Sequence, residues 1–384
     1  MLFSLIFRNA FRHKLRTLLT IVGLTVAVLA FGLLSTVVEA WYAGAEGASN
    51  ARLVVRNAIS LVFPMPLTYR QKIRQIDGVR AITVANWFGG IYKEPKNFFP
   101  QFAVEASTYL DLYPEFVLTE EERKEFIRDR KGAIVGEKLA ATYGFKLGDT
   151  VTLKGTIFPG QWEFVVRGIY TGRDAKTDVS QMLFQWEYLN ETMKKRSARR
   201  ANQVGVYIVE VTDPSRVAEI SLAIDKEFKN SNAETLTETE KAFQLGFVSM
   251  TEAIVVAIRL VSYLVIFIIL AVMANTMAMT VRERTAEYAT LKALGFGPAF
   301  VKGLIFGESL AIAALGGVIG IALTFPVADA FGRAMGTLFP VFLVSDSTVI
   351  LQLVCSLAVG LVSAVFPARS AARVKIVDGL RSIG

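Results

Sequence analysis

Residues 17–38 read TLLTIVGLTVAVLAFGLLSTVV, an unbroken apolar stretch of about 22 residues, the length a helix needs to cross a bilayer. Three more such runs follow, at 253–279, 303–326 and 348–367, and the first is separated from the second by more than 200 mostly polar residues. The spacing predicts an α-helical membrane protein with four transmembrane helices and a large mixed α+β extracytoplasmic domain between the first and second. A cleavable signal peptide is the alternative for the first run. Its apolar core exceeds the 7 to 15 residues of a signal h-region, which favours an uncleaved anchor.

Charge predicts the orientation. Arg8, Arg12, Lys14 and Arg16 precede the first run, Arg282, Arg284, Lys292 and Lys302 lie between the second and third, and Arg369, Arg373, Lys375 and Arg381 follow the fourth. Against these stand only Glu283, Glu287 and Asp378, whereas residues 41–251 hold 28 Lys/Arg and 26 acids. By the positive-inside rule both termini and the 282–302 loop are cytoplasmic and the large domain lies outside. The formal charge of +8 is thereby a topology signal. Nucleic acid is not an expected partner: the densest basic cluster, Lys194, Lys195, Arg196, Arg199 and Arg200, lies in the outer segment and reads as a solvated face.

The predicted organisation is a basic N-terminus at 1–16, spans at 17–38, 253–281, 303–326 and 348–367, an outer domain at 39–236, a stalk helix at 237–252, a cytoplasmic coupling region at 282–302, an outer loop at 327–347 and a cytoplasmic tail at 368–384. Within the outer domain, short β-branched or aromatic runs at 53–56, 81–86, 102–105, 133–135, 150–153, 164–170 and 204–211 predict strands. Asp213-Pro214 starts a helix whose apolar positions are Val217, Ile220, Ile224 and Phe228, and 120–130 is a second, charged helix with Phe126 and Ile127 as its main apolar residues. Thr237 and Glu240 have capping-box spacing, with Phe243, Phe247 and Met250 following on one face, so a continuous helix into the second span is expected.

Little points to chemistry. Cys355 is the single cysteine and sits in the fourth run, so no intrachain disulfide is possible, and the lone His13 lies in the basic flank. No metal site and no cofactor are expected, and no G-x-S-x-G, H-E-x-x-H or paired-cysteine pattern occurs. Two ionisable residues fall in spans: Arg259, placed to snorkel, and Glu308, in the opposite leaflet and unpaired with it. Gly303 and Gly307, and Gly316 and Gly320, are four apart in the third run and permit close helix contact, within the chain or in a dimer. The exposed-aromatic candidates for a partner or substrate patch are Trp87, Phe88, Phe98 and Phe99.

The most specific local element is 281–295, VRERTAEYATLKALG, with helical composition and a glycine where a helix stop belongs. A short charged helix there can dock on a soluble partner or lie on headgroups. Here the chain resembles the MacB/FtsX-like permease family of ABC transporters. The matching residues are Glu283-Arg284, Glu287, Leu294-Gly295, Glu308 and Gly316-Gly317, with Arg12, Arg16-Thr17, Thr20 and Gly23 at the first span and Pro367-Ala368-Arg369, Ala371-Ala372 and Leu380-Arg381 in the tail. Ile376 replaces the family's tail proline and Gly379 its alanine. In the outer domain 132–140 (GAIVGEKLA), Gly144, 147–151 (LGDTV) and 166–169 (VRGI) are similar to the family's periplasmic core domain.

The resemblance implies a non-catalytic membrane subunit of the bacterial cytoplasmic (inner) membrane that forms a homodimer or heterodimer. ATP hydrolysis would belong to a separate cytoplasmic ABC ATPase, since this chain has no G-x-x-x-x-G-K-[ST] loop. It makes Arg282, Glu283, Arg284, Glu287, Leu294 and Gly295 the ATPase-coupling residues, with Glu283, Arg284 and Glu287 as the polar docking contacts. Three readings stay open: export of a drug, peptide or other amphiphile toward a periplasmic adaptor by mechanotransmission, extraction of lipoproteins for a lipoprotein chaperone, and signalling to a cell-wall hydrolase.

Overall fold

The computed structural model describes residues 11–335 and 339–376. Arg8, Asp378, Gly379, Leu380 and Arg381, named above, lie outside them. The helices are α1 (Lys14–Gly47), α2 (Tyr69–Arg74), α3 (Ala106–Leu112), α4 (Glu120–Arg128), α5 (Glu137–Tyr143), α6 (Trp186–Arg196), α7 (Val217–Glu227), α8 (Glu240–Ser249), α9 (Glu252–Glu283), α10 (Thr285–Ala293), α11 (Pro298–Ala334) and α12 (Asp346–Arg373). The strands are β1 (Arg52–Asn57), β2 (Met65–Pro66), β3 (Val79–Trp87), β4 (Gly90–Ile91), β5 (Gln101–Val104), β6 (Phe116–Val117), β7 (Gly132–Gly136), β8 (Thr150–Gly155), β9 (Gly160–Gly172), β10 (Met182–Gln185), β11 (Gln203–Val204), β12 (Val206–Val211) and β13 (Thr235–Thr239).

The chain divides into two compact units, one of residues 1–39, 252–334 and 342–384, the other of residues 40–251 and 335–341. In the first, α1, α9, α11 and α12 are each long and apolar enough to cross a membrane. Small residues bring them together. A Cβ at Gly316 would lie 3.0 Å from the Leu24 Cβ, one at Gly320 2.8 Å from that of Val28, and one at Gly317 2.5 Å from the Ser356 hydroxyl. These three glycines are therefore packed within the chain, against α1 and α12. Gly303 faces open space and Gly307 is half-buried. Both prolines expected to end spans lie inside helices: α11 continues past Pro326 and α12 past Pro367. Each proline gives up one backbone hydrogen bond, which helices of a bundle tolerate when neighbours satisfy the freed groups.

The second unit is built on a sheet that, among the described residues, has eleven strands in the order β13–β1–β12–β3–β5–β10–β7–β9–β8–β4, with β6 added to β9. The β5–β10 and β7–β9 pairs are parallel and the rest antiparallel. Alternate residues feed two cores. Met182 and Phe184 join Phe88, Trp162 and Phe164 on one face, while Leu183 joins Ile134, Tyr170 and Phe126 on the other, as a period of two requires. Phe88 and Phe99 are fully buried in the first core, leaving Trp87 and Phe98 as the exposed members of the aromatic set. Helix α4 is anchored by Phe126 while Ile127 stays exposed, and a full capping box from Thr119 and Glu122 starts it.

The predicted stalk is corrected in three respects. Residues 235–239 are strand β13, paired with β1, and Thr237 donates to Asp225 instead of capping a helix. The cap is Thr239, whose hydroxyl accepts from the Ala242 amide, because strand pairing holds the backbone extended up to that residue. A turn at Met250 and Thr251 then separates α8 from α9, so the helix is not continuous. Phe247 and Met250 are exposed and Phe243 half-buried; the residues that α8 buries are Glu240 and Val248.

Candidate functional site: the α10 junction

Helix α10 ends as its sequence predicts. Gly295 adopts φ +94°, its N–H donates to the Lys292 carbonyl and the Phe296 N–H to that of Leu291, the paired bonds of a Schellman stop. The buried face of α10 is Tyr288 and Ala289; Tyr288 packs among Met277 and Val281 of α9, Val301, Leu304 and Ile305 of α11, and Ala364, Ala368 and Ala371 of α12.

Polar ties fasten α10 to the same helices. Arg284, at the N-cap of α10, donates from Nη1 to Glu308 Oε1 of α11 at 2.6 Å and from Nε to Glu287 Oε2 at 2.9 Å. Arg284 and Glu308 are only 5% and 2% exposed. Two like carboxylates around one guanidinium are stable here because each accepts a charge-assisted hydrogen bond. Glu287 is shared, since Arg12 also bonds it. At the last residue of α9, Glu283 accepts a bidentate pair from Arg16 of α1 at 2.7 and 2.6 Å. At the other end Lys292 Nζ donates to the Ala372 and Val374 carbonyls at 2.8 and 2.7 Å, at the C-terminus of α12. Helix α10 and its N-cap are thus bonded to Arg12 ahead of α1, to α11 and to α12, while the end of α9 just before it is bonded to α1.

The charges shift accordingly. Hydrogen bonding to Arg16 holds the Glu283 carboxyl below the usual carboxylate range. Burial works against ionisation of Glu287, but the bonds from Arg284 and Arg12 outweigh it and its pKa falls. Burial likewise opposes the charge on Arg284, and the facing Glu308 more than restores it. Beside Glu308 lies a cavity of about 20 Å³ lined by Thr17, Thr20, Thr276 and Thr280 among others, room for about one water.

Of the residues expected to meet an ATPase, Arg282, Glu283, Leu294 and Gly295 are exposed, Leu294 at 71%, with Phe296 beside it at 43%. Glu287 is partly exposed. Arg284 is not available as an outward contact: its guanidinium is spent on Glu308 and Glu287. Sequence reasoning missed this pairing, and also Lys292 and the Arg12 and Arg16 ties. A signal existed, since Arg284 and Glu308 stand twelve residues either side of Phe296 in the Gly-Phe-Gly turn, the positions an antiparallel helical hairpin brings to one height.

A model of the MacB-like periplasmic core domain matches residues 17–227, and one of the FtsX-like permease C-terminal domain matches residues 259–376. The chain belongs to the MacB/FtsX-like permease family. It is an ABC transporter permease, and that family implies a partner ATPase. An uncharacterized ABC transporter permease of Methanocaldococcus jannaschii is 24% identical over 98% of this chain and 96% of its own length. The macrolide export ATP-binding/permease protein MacB of Psychrobacter cryohalolentis is 33% identical over 106 residues, 28% of this chain and 16% of that protein. Among solved structures, the periplasmic region of MacB from Actinobacillus actinomycetemcomitans aligns over 53% of this permease and 94% of its own chain, at 11% identity and a TM-score of 0.37.

Proposed function

We propose that this permease couples ATP hydrolysis in a separate cytoplasmic ATPase to motion of its inserted domain, exporting an amphiphile, drug or peptide by mechanotransmission. The observation that supports this reading most strongly is the tying of the α9–α10 junction to the other long helices: Glu283 at the end of α9 to Arg16 of α1, Arg284 at the α10 N-cap to Glu308 of α11, Glu287 to Arg12 just ahead of α1, and Lys292 to the C-terminus of α12. A force applied to α10 displaces those helix ends together, because each tie couples it to a different helix. In this reading α10 and the termini are cytoplasmic, in line with their basic flanks, and Leu294 and Phe296 offer the ATPase an apolar contact. Helix α1, which carries the Arg16 tie, runs unbroken for 34 residues from Lys14 to Gly47, on the path to the inserted domain. The exposed apolar side chains of α9, including Leu260, Leu264 and Phe267, face lipid or a second permease copy.

The test is a distance measurement on the full permease with its ATPase in lipid nanodiscs. Spin labels at Leu222, an exposed residue of α7, report the spacing between the inserted domains of two copies. The reading expects different spacings with and without ATP. Identical distances in both states would remove it.

A further inference from the structure

The connection between α11 and α12 does not belong with the helices it joins: residues 335–341 fall in the same compact unit as the inserted domain. Two side chains of the inserted domain bond or pack against this connection. Lys138, in the first turn of α5, extends its ammonium to the carbonyl oxygens of Phe339 and Pro340 at 2.6 and 3.2 Å. Phe339 is buried, and its ring meets that of Trp41 edge-on at 5.1 Å between centroids. Trp41 also donates its indole N–H to the Thr251 hydroxyl at 2.8 Å. It lies in the last turns of α1, and Thr251 is the turn between α8 and α9. One tryptophan of the outgoing chain therefore touches both the returning chain and the α11–α12 connection.

We propose that Lys138 and Trp41 are positioning residues that clasp the α11–α12 connection to the inserted domain, giving the domain a third mechanical link besides α1 and α8. The chemistry suits a clasp. A lysine can donate to two loop carbonyls at once, and the Lys138 ammonium is half-buried, with Asp178 as the nearby opposite charge. The aromatic contact adds apolar burial that a solvated loop would lack. With three links, the domain takes up displacements of all four long helices; with two, α11 and α12 would move without it. That consequence rests on the mechanotransmission reading above, whereas the clasp itself does not.

The experiment uses the full permease with Cys355→Ser, so that an introduced thiol is the only one. Phe339→Cys removes the ring but keeps the carbonyl that Lys138 holds. Its maleimide labelling is expected to rise by about tenfold when Lys138→Met is added, as a local opening exposes it, and to return to the parent rate with Lys138→Arg. A separate cysteine at Ala103, buried in β5, should stay protected in Lys138→Met, which distinguishes a freed loop from an unfolded domain. Unchanged labelling at position 339 overturns the clasp. In the ATPase complex labelled at Leu222, Lys138→Met and Trp41→Ala should diminish the ATP-linked change in spacing while hydrolysis stays within about twofold of the parent. A full spacing change despite a labile loop overturns the third link. A parent complex without any ATP-linked change refutes mechanotransmission instead, and labelling alone then judges the clasp.

Discussion

Two buried arginines, one in each unit, are held in nearly the same way. Arg52 of the inserted domain donates to Glu240 at 2.8 Å and to Glu115 at 2.5 Å, and its guanidinium lies 4.1 Å from the centre of the Tyr113 ring. Arg284 donates to Glu308 and Glu287, with the Tyr288 ring 5.3 Å away. The difference lies in what closes each cluster. Around Arg52 the Leu112 carbonyl takes a further bond, the Tyr113 hydroxyl donates to Glu240, and Glu240 also accepts the Ser49 amide, so a single carboxylate joins the segment leaving α1 to the first turn of α8. Around Arg284 the Tyr288 hydroxyl has no hydrogen-bond partner among the described residues, and Glu287 is partly exposed and shared with Arg12. The first is a closed structural knot. The second has one buried bond and one bond at the surface.

Glu240→Ala breaks the closed knot and should have the largest effect. It leaves Arg52 buried beside one carboxylate and the Ser49 amide unpaired, for a loss of about 3–5 kcal/mol. Pulse proteolysis of the full permease in detergent would read it as cleavage within residues 40–251, and a variant as resistant as the parent would show that Arg52 finds a replacement partner.

Gly295→Ala comes next, at about 1 kcal/mol, because a side chain at φ +94° is strained even though nothing lies within 4 Å of the new Cβ. Its cost should appear as faster amide exchange in α10, with the inserted domain unaffected. Equal change in both units would mean that the two are not separable.

The smallest effects are at the exposed rim of the second cluster. Glu287→Gln should cost only about 0.5–1 kcal/mol, since Glu308 still neutralises Arg284. Glu283 and Glu287 both have carboxyls held below the ordinary value of 4.5, so what they contribute is fully present above that pH and fades as the pH falls through their lower folded values. Crosslinking between α10 and the residues leading into α1 should therefore be constant from pH 8 to about 5 and weaken only below about 4.5. A transition near neutrality would assign the rim to another group.

How legible the molecule was from its sequence also differs between the two units. Four spans announce themselves because lipid-facing helices are apolar all round, and the seven strand runs show because β-branched and aromatic residues cluster in them. Strand β13 escaped, since Thr235 to Thr239 is Thr-Leu-Thr-Glu-Thr, with one apolar residue and that one exposed at 38%. The capping box read at Thr237 failed for the same reason: local spacing allowed it, and pairing with β1 took the residue. In the coupling region the helix and its glycine stop were local and readable. The Arg284–Glu308 pair was less so, because the two residues are 24 apart and meet only when the chain reverses at the turn that starts α11.

In the proposed mechanism α10 passes force to the helices through the Arg284–Glu308 bond. The direct measurement is Glu308→Gln in the nanodisc complex, following ATP hydrolysis and the Leu222 spacing together. Gln keeps an acceptor for Arg284 and removes the charge that holds it. The prediction is a complex that assembles and hydrolyses ATP while the ATP-linked change in spacing is lost. A variant that hydrolyses ATP and still moves its inserted domains by the parent distance would contradict it.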